Sequence, residues 1–310
     1  KYKMYQKLQT SFLRSLPKHI CDDGRVHCRF NDTGARTGRL SSSDPNLQQL
    51  PKNKEIKIRS CFIASPGTKF IVLDYSQEEL RFTAFLAKDK VITKAFNEGL
   101  DLHLLTANKV FKLSLTDIEL KKGTDEFKLA KEKYGDERDK AKGVTFGLLY
   151  GMTEYNLSDR LQILLDEAKQ IMKDYFDAMP SVKTTIDKAH KSVKDNGFVR
   201  NYYGRYRHFS VNDKGVYPGV AYRQSFNFQI QSFAADLLRV SMVDVYKFLK
   251  ENNDEGKLIF TVHDEMCIEV PEDKVDFYLN GVKKVMENCL IINPPLIAEG
   301  SAGSDYAEAK

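Results

Sequence analysis

Two aspartates offer the clearest chemistry in this chain, Asp74 and Asp264. Asp74 follows the apolar, β-branched run Lys69-Phe70-Ile71-Val72-Leu73, so it stands where a buried strand ends. Asp264 lies with His263 and Glu265 between the apolar runs Leu258-Ile259-Phe260-Thr261-Val262 and Met266-Cys267-Ile268-Glu269-Val270. Those runs read as a tight antiparallel hairpin, although the Asn-Gly turn signal is missing. At such positions a rigid sheet presents side chains at its edge. Carboxylates held close together repel unless cations neutralise them, and a pair of oxygen-ligated Mg²⁺ ions about 3.5–4 Å apart is a standard solution for phosphoryl chemistry. One ion lowers the pKa of an attacking hydroxyl, and the other neutralises charge on a leaving phosphate. The spacing in sequence does not bring the two aspartates together. Plain turn chemistry also accounts for Asp264, with His263 a partly buried structural histidine. Ser76 and Glu79 have the spacing of a capping box, so Glu79 can simply finish a helix N-terminus. Asp117 and Glu119 have the look of a nuclease carboxylate pair, but Thr116 before them reads as an N-cap with an acidic first turn.

Arg138, Lys142, Phe146 and Tyr150 recur every four residues. At about 3.6 residues per turn, successive members drift by only about 40°, so they form one slowly winding stripe. Two cations come first and can neutralise a triphosphate; two aromatics follow and can pack on a sugar or base. The alternative is a helix with a solvated basic end and a buried aromatic end. Gly147 and Gly151 each cost about 1 kcal/mol against Ala in a helix, which close approach by a ligand, strand or helix would explain.

The elements that must position these residues follow from the same patterns. Residues 24–30 alternate apolar and polar after a glycine, as a short strand does, and residues 33–51 are rich in loop formers. Helical spacing runs from 76 to 95 and, with polar interruptions, from 101 to 165. Within it, residues 121–137 are highly charged and read as an exposed insertion or an extended helix. Pro180 separates two helical runs, and residues 197–219 form a Tyr- and Gly-rich turn region. Residues 220–250 make a long helix with Phe226, Ile230, Phe233, Leu237 and Leu238 on one face, and another helix runs from Pro271 to about Leu290. The reading is α+β, with a small antiparallel sheet and many helices.

Composition bounds the class without selecting it. The chain has 310 residues, 42% hydrophobic and 29% charged, enough for about two domains or lobes. It has no run of the roughly 18 apolar residues a membrane span needs, and residues 1–18 do not read as a signal peptide. The absence of an initiator methionine suggests a fragment. Five cysteines without CxxC spacing read as reduced structural thiols, not a zinc site. A net charge of +5 and a pI near 8.7 are compatible with nucleic-acid binding without demanding it.

Three blocks carry a resemblance. Residues 74–81 read Asp-Tyr-Ser-Gln-Glu-Glu-Leu-Arg, residues 138–151 read RDKAKGVTFGLLYG, and residues 262–265 read Val-His-Asp-Glu. They resemble motifs A, B and C of family A DNA polymerases, the bacterial DNA polymerase I type. Thr37-Gly38-Arg39-Leu40-Ser41-Ser42, Asp44-Pro45-Asn46-Leu47-Gln48 and residues 229–236 match further blocks in the family's order, and the resemblance covers essentially the whole chain. It implies a right-hand polymerase palm plus mainly helical fingers, with the thumb largely absent. Residues 1–100 would be the N-terminal palm part, 101–215 the fingers and 216–310 the C-terminal palm part.

The implied activity is template-directed DNA synthesis in replication or repair, adding dNTPs to a primer 3′-hydroxyl with release of pyrophosphate. Asp74 and Asp264, with the Tyr75 carbonyl, would bind two Mg²⁺ ions, for which Mn²⁺ could substitute. Glu265 would lie beside them near the primer terminus. Arg138 and Lys142, helped by His103, would grip the triphosphate, and Gln77 would join the nucleotide site. Phe146 would lie against the deoxyribose, Tyr150 near the templating base, and Glu79 would be the steric gate against a 2′-hydroxyl. Arg39, Arg223, Asn227, Gln231 and His263 would contact the primer–template duplex through its backbone and minor groove, with little sequence preference. The resemblance further suggests a monomer with thumb and exonuclease domains upstream. Together with a Lys-, Asn- and Tyr-rich composition, it suggests an organellar (apicoplast) location. A non-catalytic DNA-binding module is the first alternative, and the presence of Asp74, Asp264, Lys142 and Arg138 argues against it. An RNA polymerase of related architecture is the second, disfavoured by Glu79 and the wording of motif B. Three departures stand out: Glu78 where motif A is usually apolar, Thr145 where motif B often has asparagine, and the charged stretch 121–137. Glu78 either adds a carboxylate beside the gate or faces solvent.

Overall fold

A computed structural model describes residues 5–6, 8–51, 57–209 and 218–310. The chain divides into two compact units: Lys1–Ser76 with Ala235–Leu290 and Ile297–Lys310, and Gln77–Ala234 with Ile291–Leu296. In chain order the strands are β1 (Arg29–Asn31), β2 (Ser41–Ser43), β3 (Thr68–Tyr75), β4 (Phe198–Arg200), β5 (Tyr206–His208), β6 (Lys257–Val262), β7 (Glu265–Pro271) and β8 (Ala298–Gly303).

The first unit is built on a four-stranded antiparallel sheet ordered β6-β7-β3-β8. Its inner strands are apolar on both faces because both faces are covered. Phe70 and Val72 of β3 join Cys267, Phe260 and Val262 in a core that includes Phe12, Leu47, Leu50 and Tyr306. Ile71 and Leu73 alternate to the opposite face, and the helix Val275–Asn288 packs against β3, β7 and β8. Each such side chain taken out of water contributes roughly 1.5–3 kcal/mol before entropy is counted. The register then does the functional work. Asp74 pairs with Glu265 of β7 and with Glu299 of β8, and Glu265 pairs with Val262 across the hairpin. Acidic positions are thus brought to one end of the sheet.

The second unit is mainly helical, with β4 and β5 forming a small antiparallel pair. Side-chain caps mark many helix starts: Asp89 on Lys90–Asn97, Asp101 on Leu102–Phe111, Thr124 on Asp125–Lys133 and Thr153 on Glu154–Leu161. Pro180 opens Pro180–Asn196 at a first-turn position, where its missing N–H costs nothing, and Gly197 closes that helix with φ 73°. The helix Leu102–Phe111 packs on both Gly135–Leu149 and Leu165–Ala178. Phe82 and Phe233 stack with ring centroids 4.2 Å apart.

Several boundaries differ from the sequence reading. The expected strand over 24–30 contracts to Arg29–Asn31, because a turn closed by the Cys21 amide on the Arg25 carbonyl (2.8 Å) takes up its first half. The expected loop over 33–51 holds β2 and a 3₁₀ turn, Leu47–Gln49, since Leu47 and Leu50 drop into the core. The helix expected over 76–95 is two, Glu78–Ala87 and Lys90–Asn97. Lys88 turns left-handed between them, and Asp89 caps the second at Ile92 N (2.8 Å). The N-cap of the first is Gln77 and not Ser76, and it is itself left-handed at φ 51°. The Thr116–Glu119 box does form, with the Thr116 amide 2.9 Å from Glu119 Oε2. The charged stretch 121–137 is not one extended helix, because Asp125–Lys133 ends at Tyr134 and a new helix starts at Gly135. Glu265 belongs to β7, leaving His263-Asp264 as the turn. Asp74 lies one residue inside the end of β3.

Candidate functional site

In the first unit, the end of the sheet concentrates charge. Asp74 and Glu265 are cross-strand partners, and the Lys310 Nζ lies 2.5 Å from Asp74 Oδ2 and 2.9 Å from Glu265 Oε2. The Glu265 side chain is only 1% exposed. An unpaired carboxylate there would cost several kcal/mol, so its partners matter. Its other oxygen accepts the hydroxyl of Tyr306, a fully buried side chain whose ring lies under the Arg59 guanidinium at 4.7 Å. Burial, reinforced by the Glu265 charge, holds the Tyr306 phenol far above its ordinary range, so it stays protonated and donates. Burial disfavours the charged form of Lys310, but the bonds to Asp74 and Glu265 outweigh it and raise its pKa.

Asp264 is half-buried in the hairpin turn, and exposed His263 has φ 60°. A glycine usually supplies that backbone in a two-residue hairpin, so a non-glycine residue here carries some strain. Tyr75 is anchored from inside: its hydroxyl lies 2.7 Å from Ser241 Oγ and 3.0 Å from the Met286 carbonyl. Arg39 is half-buried beside Gly38, whose carbonyl accepts two bonds from Arg239 (2.8 and 3.1 Å).

The all-oxygen, anionic donor set suits a divalent cation. One point charge, the Lys310 ammonium, already reaches both Asp74 and Glu265, so two anionic oxygens converge on a single cation. The ligating oxygens of Asp74, Asp264 and Glu265 do not all lie within 4.8 Å of one another. Among the described residues, Cys21, Asp23 and His27 are the group that does, and all three are exposed.

In the second unit the predicted stripe is real. Arg138, Lys142 and Phe146 lie on Gly135–Leu149, and Tyr150 caps its C-terminal end. Its aromatic end is not buried, because Phe146 is half-exposed and Tyr150 is 37% exposed. Lys142 is exposed, whereas the Arg138 guanidinium makes two bonds to Asp101, at 3.0 and 2.9 Å. Asp101 also caps its own helix at Leu104 N (2.8 Å), so one carboxylate fixes both helix starts. Burial would raise the Asp101 pKa, but Arg138 and the Leu104 amide together lower it. His103 stands 5.9 Å from Phe146 between ring centroids. Burial takes its pKa down to about 4, with Arg138 and Lys142 adding to the effect and Asp101 opposing it, so it is neutral at pH 7. The Tyr150 hydroxyl donates to Glu79 Oε2, joining the end of the stripe to the start of Glu78–Ala87.

Gly147 faces the Met152 side chain, and Gly151 has φ 76° with the Arg223 backbone so close that a Cβ would lie 2.8 Å from its Cα. A neighbouring helix therefore explains Gly151, as one of the sequence readings had it. Arg223, Asn227 and Gln231 follow at four-residue spacing along Pro218–Glu251 and are all half-exposed. Gln77 is half-buried at its left-handed N-cap position. Glu78 is 5% exposed, which rules out the solvent-facing reading of that departure. A cleft of about 550 Å³ lined by Phe85, Asp89, Lys94 and Asn293 contains none of the predicted site residues.

Sequence reasoning missed Tyr306, Lys310 and Asp101. The first two are more than two hundred residues from Asp74, with no spacing signal to connect them. Asp101 carried one, as a cap residue directly before a helical run.

The family model described as DNA polymerase family A matches residues 1–308. The chain is 38% identical to DNA polymerase I of Caldicellulosiruptor bescii over 314 aligned residues, covering 100% of this chain and 35% of that protein. It is 36% identical to the thermostable DNA polymerase I of Thermus filiformis, covering 100% of this chain and 36% of that one. The POL domain of Pol1 from M. smegmatis, solved in complex with DNA primer-template and dNTP, superposes with a TM-score of 0.87 at 30% identity. That match covers 99% of this chain and 52% of the other. The chain spans about a third of the length of these curated relatives. All three are bacterial and lend no support to an apicoplast location. Among the described residues, no helix is long and apolar enough to cross a membrane.

Proposed function

Because this chain belongs to DNA polymerase family A, we propose that it is the catalytic part of a DNA-directed DNA polymerase, with residues 1–100 and 216–310 as palm and 101–215 as fingers. Its substrates would be a primer–template duplex and dNTPs, and its role replication or repair. The observation that carries the reading is the pairing of Asp74 with Glu265 beside the Asp264 turn. It lies at one end of a buried sheet, in a chain that also has the basic-aromatic stripe of motif B.

In this reading the primer 3′-oxygen attacks the α-phosphorus, a new P–O bond forms, and the α–β bridging P–O bond breaks to release pyrophosphate. Asp74 and Asp264, with the Tyr75 carbonyl, would hold two divalent ions, Mg²⁺ or Mn²⁺. These supply charge neutralisation and a more acidic attacking hydroxyl when bound. Lys142, exposed and cationic, pairs with the triphosphate, and Arg138 joins it while Asp101 sets its direction. Neutral His103 offers a ring N–H, not a charge. Gln77 completes the nucleotide contacts. Phe146 lies against the deoxyribose, and Tyr150 holds the Glu79 carboxylate where a 2′-hydroxyl would collide with it. Arg39, Arg223, Asn227, Gln231 and His263 grip the duplex. Most of the rate then comes from positioning and electrostatics.

The test is primer extension by the full-length protein with Mg²⁺ and dNTPs. Asp74→Ala is expected to lower the single-turnover rate by about a thousandfold or more, in the range for losing a principal electrostatic group. A variant that extends as fast as the parent overturns the assignment. Duplex binding without nucleotide incorporation by the parent would instead favour the non-catalytic module.

A further inference from the structure

Lys310 is absent from every motif, yet it makes the closest contact to Asp74. Its ammonium spans Asp74 Oδ2 and Glu265 Oε2, the second belonging to a nearly fully buried side chain. The backbone that delivers it is tied down. Tyr306 is fully buried with its hydroxyl on Glu265, the Ala309 amide bonds to the Asp305 carbonyl at 3.0 Å, and Ser301 Oγ donates to the Ala309 carbonyl at 2.9 Å. Gly303 permits that path, since a Cβ there would lie 2.4 Å from the Ala309 nitrogen. What remains free to move is the lysine side chain, a point charge on a flexible four-carbon stem.

We propose that Lys310 is a built-in placeholder cation that competes with a divalent ion for the Asp74 carboxylate and so sets the ion affinity of the centre. The inference rests on the reading of Asp74 as a metal ligand. Two facing carboxylates at the end of a sheet repel, and an ammonium between them removes that repulsion. An arriving ion and the ammonium are like charges seeking the same oxygen, so ion binding requires the ammonium to leave Asp74. It can do so without losing both partners, because Glu265 Oε2 lies within reach of the same stem.

The test is direct Mn²⁺ titration of the full-length protein, without DNA or nucleotide, followed by the electron paramagnetic resonance signal of free Mn²⁺. Parent, Lys310→Met, Lys310→Gln, Lys310→Arg and Asp74→Ala are compared. The expected result is tighter Mn²⁺ binding by both neutral variants, on the order of tenfold, from removal of one competing charge. Lys310→Arg, which keeps the charge, should stay near the parent, and Asp74→Ala should lose the site. Lys310→Gln keeps the test available if Lys310→Met does not fold. If Asp74→Ala loses the site while both neutral variants bind no tighter than the parent, the role of Lys310 is overturned and the metal assignment stands. If Asp74→Ala titrates like the parent, the metal assignment fails and this inference falls with it.

Discussion

Asp101 holds two jobs whose energies can be separated. It caps Leu102–Phe111 through Leu104 N at 2.8 Å and binds the Arg138 guanidinium twice, at 3.0 and 2.9 Å. The Asp101 side chain is 4% exposed and that of Arg138 21%. Breaking a fully buried pair costs about 3–5 kcal/mol, but the partial exposure of Arg138 lets water recover part of that. Asp101→Asn keeps a cap acceptor and loses the charge, with an expected loss of about 2 kcal/mol, in the range for hydrogen bonds to charged groups. Asp101→Ala loses the cap as well, adding about 1 kcal/mol. Urea unfolding of the full-length protein would read both as lower midpoints at constant m. A cycle with Arg138→Met isolates the pair, with an expected coupling of about 1–2 kcal/mol. The pH dependence has a definite sign. The folded-state pKa of Asp101 is depressed, so its stabilisation is fully present above the unfolded carboxylate value, about 3.9, and is lost as pH falls through the lower folded value. The gap between parent and Asp101→Asn should therefore be flat at neutral pH and close only below about pH 4. A coupling near zero, or a gap that closes between pH 6 and 8, refutes the reasoning.

Two further outcomes follow from other parts of the second unit. Gly151→Ala combines a left-handed backbone with a collision against the Arg223 main chain, so a loss of about 2 kcal/mol or more is expected, read as a lower thermal midpoint. An unchanged midpoint would show that the neighbouring helix yields freely. Glu79→Ala removes the carboxylate that accepts the Tyr150 hydroxyl, and ribonucleotide incorporation relative to deoxyribonucleotide should rise about tenfold or more. An unchanged ratio removes the gate assignment.

Much of the architecture was legible from local pattern because local physics dominates it. The β-branched run before Asp74 read as a buried strand and is one. The periodic apolar face from Phe226 to Leu237 emerged as the long helix Pro218–Glu251, and Pro180 separated two helices as its geometry requires. Boundaries failed where a single residue in an unusual backbone state decided them. Gln77 and Lys88 are left-handed without being glycine, and nothing in their side chains announces it. Hence Ser76 was misread as the cap and one helix was read where two exist. Residues 41–43 and 47–49 looked like loop by composition, yet Leu47 and Leu50 had a core to enter.

The candidate site divides along the same line. Residue type and short spacing were enough to mark Asp74, Asp264 and the Arg138–Tyr150 stripe as candidates beside plainer readings, because a period of four on a helix and an apolar run ending in an acid are local facts. That Asp74 faces Glu265 depends on strand register, which no local pattern encodes. That Arg138 is held by Asp101, Glu79 by Tyr150, and Asp74 by Lys310 depends on contacts between residues from 37 to 236 positions apart. Those pairings arise only when burial strips water from the carboxylates and each must find a partner. One chain order can satisfy that need in many ways until the packed fold selects one.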